Sequence, residues 1–193
     1  MAAIKYNNLF SIVVLNSIYP LSREANKFLS RVLVCKQYKK GEFIVHRGEV
    51  CDRLHLIRKG LVRGYFDIDD KEVTTWVSVD NEMVTSISGY FKKEPAHENI
   101  QCLEDTYTES ISCDDMEYAL DKYSEVNQLF RKLLQEYYAF SEHRSFMARI
   151  PKAKDRYDYF LKIYNSEIIK RLPKKYLASL VNMRPETLSR LKK

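Results

Sequence analysis

The spacing of apolar positions divides the chain into three textures. Behind Pro20-Leu21-Ser22, the segment Arg23 to Leu33 carries Ala25, Phe28, Leu29 and Val32 at helical spacing. This predicts an amphipathic helix with Ser22 as its N-cap. The texture then changes. Gly41, Gly48, Gly60 and Gly64 fall within 24 residues and separate short runs rich in β-formers: Glu42 to His46, Leu54 to Arg58, Leu61 to Asp67 and Val73 to Val79. Similar runs resume at Asn99 to Leu103 and Tyr107 to Ser112. Glycine-punctuated strands of this length predict an antiparallel roll or sandwich, with Gly supplying positive φ at the corners.

From Asp114 onward the period becomes helical. Val126, Phe130, Leu133, Tyr137, Phe140, Arg144 and Met147 follow steps of four and three. That spacing suits the seam of a two-helix dimer, and it also suits a helix lying on its own sheet. The polar Arg144 within the stripe favours the dimer seam, where it can fix register. Pro151 ends or kinks the helix, and Arg149 to Lys152 reads as a hinge. Ala153, Tyr157, Phe160, Leu161 and Tyr164 mark a further amphipathic helix.

The last segment reads as helix, tight turn, helix. Lys174 to Val181 forms the first helix, Asn182 fits a left-handed turn position, and Pro185 fits the first turn of the second helix. Leu177, Leu180, Val181, Leu188 and Leu191 would close a small core. Glu186, Thr187, Ser189 and Arg190 then face outward, beside Lys174, Lys175, Tyr176, Arg184, Lys192 and Lys193. In a DNA-binding helix-turn-helix the second helix enters the major groove. Arg suits guanine, Glu can accept from cytosine, and Lys matches phosphate. A plain helical hairpin with a basic surface would show similar spacing, so charge enters the argument.

The formal net charge is +6, unevenly spread. Residues 144–193 hold fourteen Lys/Arg and four Asp/Glu, whereas residues 1–143 carry a net −4. A basic C-terminal quarter on a mildly acidic body is the footprint of phosphate-backbone contact, and with the motif it favours DNA as partner. The other classes fare worse. Leu9 to Leu15 is about a third of a membrane-spanning helix and lacks a signal-peptide cleavage site, so no membrane association and a cytoplasmic location are expected. The four cysteines, Cys35, Cys51, Cys102 and Cys113, form no C-x-x-C pair and suggest reduced thiols. His46, His55, His97 and His143 offer no metal-ligating pair, and no nucleotide-binding or hydrolase motif occurs. No catalytic residue, metal or cofactor is expected.

The run Lys40-Gly41-Glu42-Phe43-Ile44, Arg47-Gly48-Glu49, Asp52 to Ile57 and Gly60 to Arg63 is similar to the start of a cyclic-nucleotide-binding β-roll. Followed by a long helix and Pro185-Glu186-Thr187-Leu188-Ser189-Arg190, it resembles the Crp/Fnr family of bacterial transcription regulators. The resemblance covers about residues 20 to 193. It implies an α+β chain: an N-terminal antiparallel, jelly-roll-like sensor roll over residues 1–125, a dimerisation helix and hinge over 126–150, and an all-α helix-turn-helix domain over 151–193. It also implies a homodimer on DNA, with RNA polymerase as a further partner it would allow. Glu186 and Arg190 match base-reading positions, while Pro185 replaces a usual Arg. No room is left for the wing that usually follows the recognition helix.

The phosphate-binding cassette departs from the family pattern. Asn81-Glu82 stands where a Gly-Glu pair is usual, and the segment at the Arg position holds His97-Glu98. Glu82, Ser86, His97 and Glu98 are thus the expected effector pocket. No Arg occurs from Gly64 to Phe130, and residues 80–125 carry a net −9. A cyclic phosphate lacks its usual cation there. A regulator that does not respond to cyclic AMP is therefore expected, its effector an unknown small molecule or none. A sensor with an unusual cassette, and more remotely a cupin-like metal enzyme, are the alternatives.

Overall fold

The computed structural model describes residues 9–69 and 71–191. The chain is α+β, with two antiparallel four-stranded sheets followed by a run of helices. One sheet has the order β1-β8-β3-β6: Val34–Tyr38, Thr106–Ser112, Arg53–Lys59 and Met83–Val84. The other has the order β2-β7-β4-β5: Phe43–Val45, Asn99–Cys102, Leu61–Ile68 and Lys71–Val79. Between them Tyr38, Val45, Ile57, Val62, Ile100 and Cys102 are buried and fill the roll with side chains. The expected strands all form, and the four cysteines are free thiols.

Two glycines do different work. Gly60 alone links β3 to β4 across the two sheets, at φ +142°, a conformation that L side chains rarely adopt. Gly64 has no such φ. It lies inside β4 opposite Trp76, and a Cβ there would sit 2.1 Å from the indole. The glycine of that strand therefore makes room for an aromatic ring and turns no corner.

Several elements were not anticipated: α1 (Leu9–Ile18), β1, the two-residue β6 and α3 (Ile87–Lys92). The predicted helix forms as α2 (Arg23–Val32), and Ser22 Oγ accepts the Ala25 N–H at 3.2 Å. Helices α1 and α2 pack with α4 (Cys113–Lys122) and the start of α5 (Ser124–Arg149) on Ile111. Glu109, from β8, reaches into the first turn of α1 and accepts the Ser11 N–H at 2.9 Å, a carboxylate at the positive end of a helix.

Helix α5 has 26 residues and runs about 39 Å. Its apolar stripe, the expected dimer seam, is largely engaged within the chain itself. Val126, Phe130 and Met147 are buried within this chain's own cores, and Leu133 and Phe140 pack against those cores. Of the seven seam positions only Tyr137 is exposed as a large hydrophobic. The stripe lies on its own roll and C-terminal helices because a self-packed helix satisfies the same period. The exposed apolar side chains of α5 are Leu134, Tyr137, Tyr138 and Phe146, with Tyr138 74% exposed.

Beyond the hinge lie α6 (Ala153–Ile163), α7 (Ser166–Arg171), α8 (Lys174–Leu180) and α9 (Pro185–Leu191). Phe160, Ile168, Leu172, Leu177 and Leu188 share one core with Leu61, Val77, Val79 and Leu103 of the roll. Helices α6–α9 thus complete their core on a sheet. Among the described residues no helix is long and apolar enough to cross a membrane.

Candidate nucleic-acid interface and effector cavity

The turn between α8 and α9 forms as the pattern requires. Asn182 is left-handed at φ +48°, and the Met183 N–H donates to the Ala178 carbonyl at 2.9 Å. Ala178 and Leu188 are buried where the helices cross. Glu186, Ser189 and Arg190 lie exposed on α9, with Thr187 half-buried, and Lys174, Lys175 and Arg184 are exposed alongside. Lys192 and Lys193 lie outside the described residues. One structural residue escaped the sequence reading. Arg156 is buried and donates to the carbonyls of Ile150, Pro151, Val181 and Asn182, tying the end of α5 to the turn between α8 and α9. Backbone carbonyl partners leave no signature in the sequence.

Tyr176 is placed differently from expectation. Its ring lies under the guanidinium of Arg63, 3.9 Å from the ring centroid, so that face meets the roll instead of open solvent. Arg63 is itself buried, with Glu72 at 2.6 Å and Gln101 Oε1 at 2.8 Å. Nearby, Ser179 Oγ accepts the Thr74 N–H at 2.9 Å and donates to the Glu72 carbonyl at 3.2 Å. A side chain of α8 thereby covers part of the free edge of β5. Arg171 of α7 adds ion pairs to Asp80 at 2.7 Å and Glu104 at 2.6 Å. Burial pushes the Asp80 carboxyl up, but Arg171 and the Gly60 N–H outweigh it and hold the group below its ordinary range.

The four expected effector residues do not converge. Ser86 is buried before α3, and His97 is exposed. Glu98 accepts the Trp76 indole N–H at 2.7 Å; burial pushes its carboxyl up, with Trp76 and Arg144 opposing. Glu82 is raised by burial, against bonds from Ser78 and Val79, and it alone of the four lines the cavity described next. That cavity, about 400 Å³, lies between β5–β6, α1, α5 and the α6–α7 region. Its walls include Trp76, Phe91, Phe130, Leu133 and Phe140, and among the described residues Arg144 is its one basic side chain. Arg144, expected at a dimer seam, thus faces this cavity.

Residues 35–123 match the cyclic nucleotide-binding domain family. No curated protein matches the chain in sequence. Among solved structures, a double mutant of CooA from Carboxydothermus hydrogenoformans is similar over 99% of this chain and 84% of its own, with 16% identity and a TM-score of 0.71. FixK2 from Bradyrhizobium japonicum is similar over 83% of both chains, with 17% identity and a TM-score of 0.70. The c-di-GMP-responsive global regulator CLP from Xanthomonas campestris is similar over 88% of this chain and 89% of its own, at 13% identity and a TM-score of 0.69. The chain has the Crp/Fnr fold.

Within the Crp/Fnr fold, this chain's departures lie at the cassette and in the roll. Asn81 takes a left-handed φ of +70° at the tight turn before Glu82, the conformation for which glycine is the usual choice. The Gly89 backbone packs so closely on Cys51 that a Cβ would lie 2.9 Å from the cysteine's Cβ. With the interior of the roll filled, the cavity lies outside the roll, against the long helix.

Proposed function

We propose that this chain is a dimeric, sequence-specific DNA-binding transcription regulator that does not respond to cyclic AMP. The observation that carries the reading is α9. Its inner Leu188 is fully buried, while Glu186, Ser189 and Arg190 project outward among exposed cations at the basic end of the chain. Arg190 and Glu186 supply base-edge chemistry, and Lys174, Lys175 and Arg184 supply phosphate contacts. The dimer forms along the exposed face of α5, at Tyr138 and Phe146, and presents two α9 helices to half-sites about one DNA turn apart. RNA polymerase is the further partner of such a regulator on DNA.

The metal-enzyme alternative has little support from the histidines. His55 is buried beside Thr108, His46 stacks on Phe43, His97 is exposed and His143 pairs with the Tyr159 hydroxyl. Among the described residues no three His, Cys, Asp or Glu side chains gather to hold a metal. No catalytic role is proposed. Selection of bound duplexes from a randomised DNA pool tests the main reading. Enrichment of a near-palindromic site is expected, and recovery of unenriched DNA, bound only at low salt, would refute it.

A further inference from the structure

The cavity beside α5 has a definite chemistry. At about 400 Å³ it falls in the range that holds small ligands. Its walls are aromatic and aliphatic, with Trp76, Phe130 and Phe140 the large rings. The Arg144 guanidinium lies 5.6 Å from the ring centroids of Tyr137 and Phe140, and among the described residues it forms no ion pair. The nearby Glu98 is engaged by the Trp76 indole. Behind Phe140, whose ring is 5.1 Å away, Tyr164 keeps a buried hydroxyl without a hydrogen-bond partner.

A half-buried cation against apolar walls gains when a ligand supplies the anion. The planar guanidinium fork matches a carboxylate. A doubly charged phosphate fits worse, because among the described residues Arg144 is the one basic lining group and Glu82 and Glu136 also line the space. Rings favour offset or edge-on contact with other rings.

We infer that this cavity binds an aromatic monocarboxylic acid, its ring among Trp76, Phe130 and Phe140 and its carboxylate on Arg144. The roll, α5 and the α6–α7 region all line the space, so a bound acid touches each of them. That occupancy alters DNA binding rests on the regulator reading; occupancy itself does not.

Trp76 is the chain's single tryptophan, so its fluorescence reports the cavity directly. The full chain is titrated with 3-phenylpropionate, with 3-phenylpropanol as the uncharged analogue and with cyclic AMP. The acid should give a saturable change, and the alcohol should bind at least about tenfold more weakly, a difference of about 1.4 kcal/mol. In Arg144→Met the acid should lose that advantage while the alcohol binds as before, with circular dichroism checking the fold. If the variant does not fold, the acid–alcohol comparison on the unaltered chain decides alone. Equal affinity for acid and alcohol, or no saturable signal from the acid at millimolar concentration, would overturn the inference. Selection of DNA by the ligand-free protein is scored separately, so failure here leaves the regulator reading standing.

Discussion

The guanidinium of Arg63 lies 3.9 Å from the centroid of the Tyr176 ring, and this stack joins strand β4 of the roll to helix α8. Arg63 also lies 4.0 Å from the centroid of Tyr65, so the cation meets two rings. Burial makes such a contact stronger than at an exposed site. A double-mutant cycle with Arg63→Met and Tyr176→Leu should show a coupling of about 1–2 kcal/mol in urea unfolding. Additive effects would mean the stack contributes nothing to holding the two parts together.

Recognition should divide by residue type. Arg190→Ala is expected to weaken binding to the selected site by about 1–3 kcal/mol and to relax discrimination at one base pair. Lys175→Ala should weaken all sequences alike and shallow the salt dependence. Competition binding across single-base variants and a salt series separates the two. An Arg190→Ala protein with unchanged affinity and preference would remove α9 from the groove.

How much of this was legible beforehand depended on whether the information was local. The glycine-bounded strands, the Ser22 cap and the Asn182 turn are local devices, and all form. The α5 stripe was visible, but one periodicity serves a partner helix and the chain's own core equally well, so its direction was not. Arg63 reads as a polar residue in an alternating strand, yet its cover, Tyr176, is more than a hundred positions away. The cavity is assembled from strands, α5 and the α6–α7 region, and no run of neighbours announces it.

The proposed dimer face rests on which side chains of α5 are exposed. Tyr138 and Phe146 are exposed, whereas Val126, Phe130 and Met147 are buried in the chain's own cores. Tyr138→Glu should convert a dimer to a monomer in sedimentation at micromolar protein while leaving the melting of the monomer fold nearly unchanged, because exposed substitutions typically cost within about 0.5 kcal/mol. Val126→Ala should instead lower stability by about 1–3 kcal/mol without dissociating the dimer. The opposite pattern would restore the original seam.

Acid should destabilise the roll well before its carboxylates titrate. His55 is buried in β3 with Nδ1 3.3 Å from Thr108 Oγ1, and burial pushes its pKa down to about 3, with Arg53 and Lys36 adding to the effect. The folded state therefore keeps the ring neutral, while the unfolded chain takes up a proton near the ordinary value of about 6.5. The unfolded state binds more protons between these values, so stability falls as pH drops from about 6.5 toward 3, by at most about 1.4 kcal/mol per pH unit. In His55→Gln that slope should be shallower between pH 6.5 and 5, where few other groups titrate. A slope unchanged in the variant would assign the acid sensitivity elsewhere.

Cyclic AMP should leave the protein unmoved. The roll interior is packed by Tyr38, Ile57, Val62, Ile100 and Cys102, so a ring inserted there would have to displace core side chains. At the cassette, Asn81-Glu82 leads into α3, and from Gly64 to Phe130 the chain has no Arg to meet a phosphate. Glu82 and Glu98 add carboxyl groups to the region, and a like-charge contact at ~4 Å costs on the order of several kcal/mol at intermediate dielectric. A ligand at ~100 times its Kd adds about 2.7 kcal/mol of stability, which shifts a domain of this size by several degrees. No change in Tm is expected with cyclic AMP at ~100 times the micromolar Kd of an ordinary small-molecule site, near neutral pH. A rise of several degrees would show that the roll opens to admit the nucleotide, and the chain would then be a sensor with an unusual cassette.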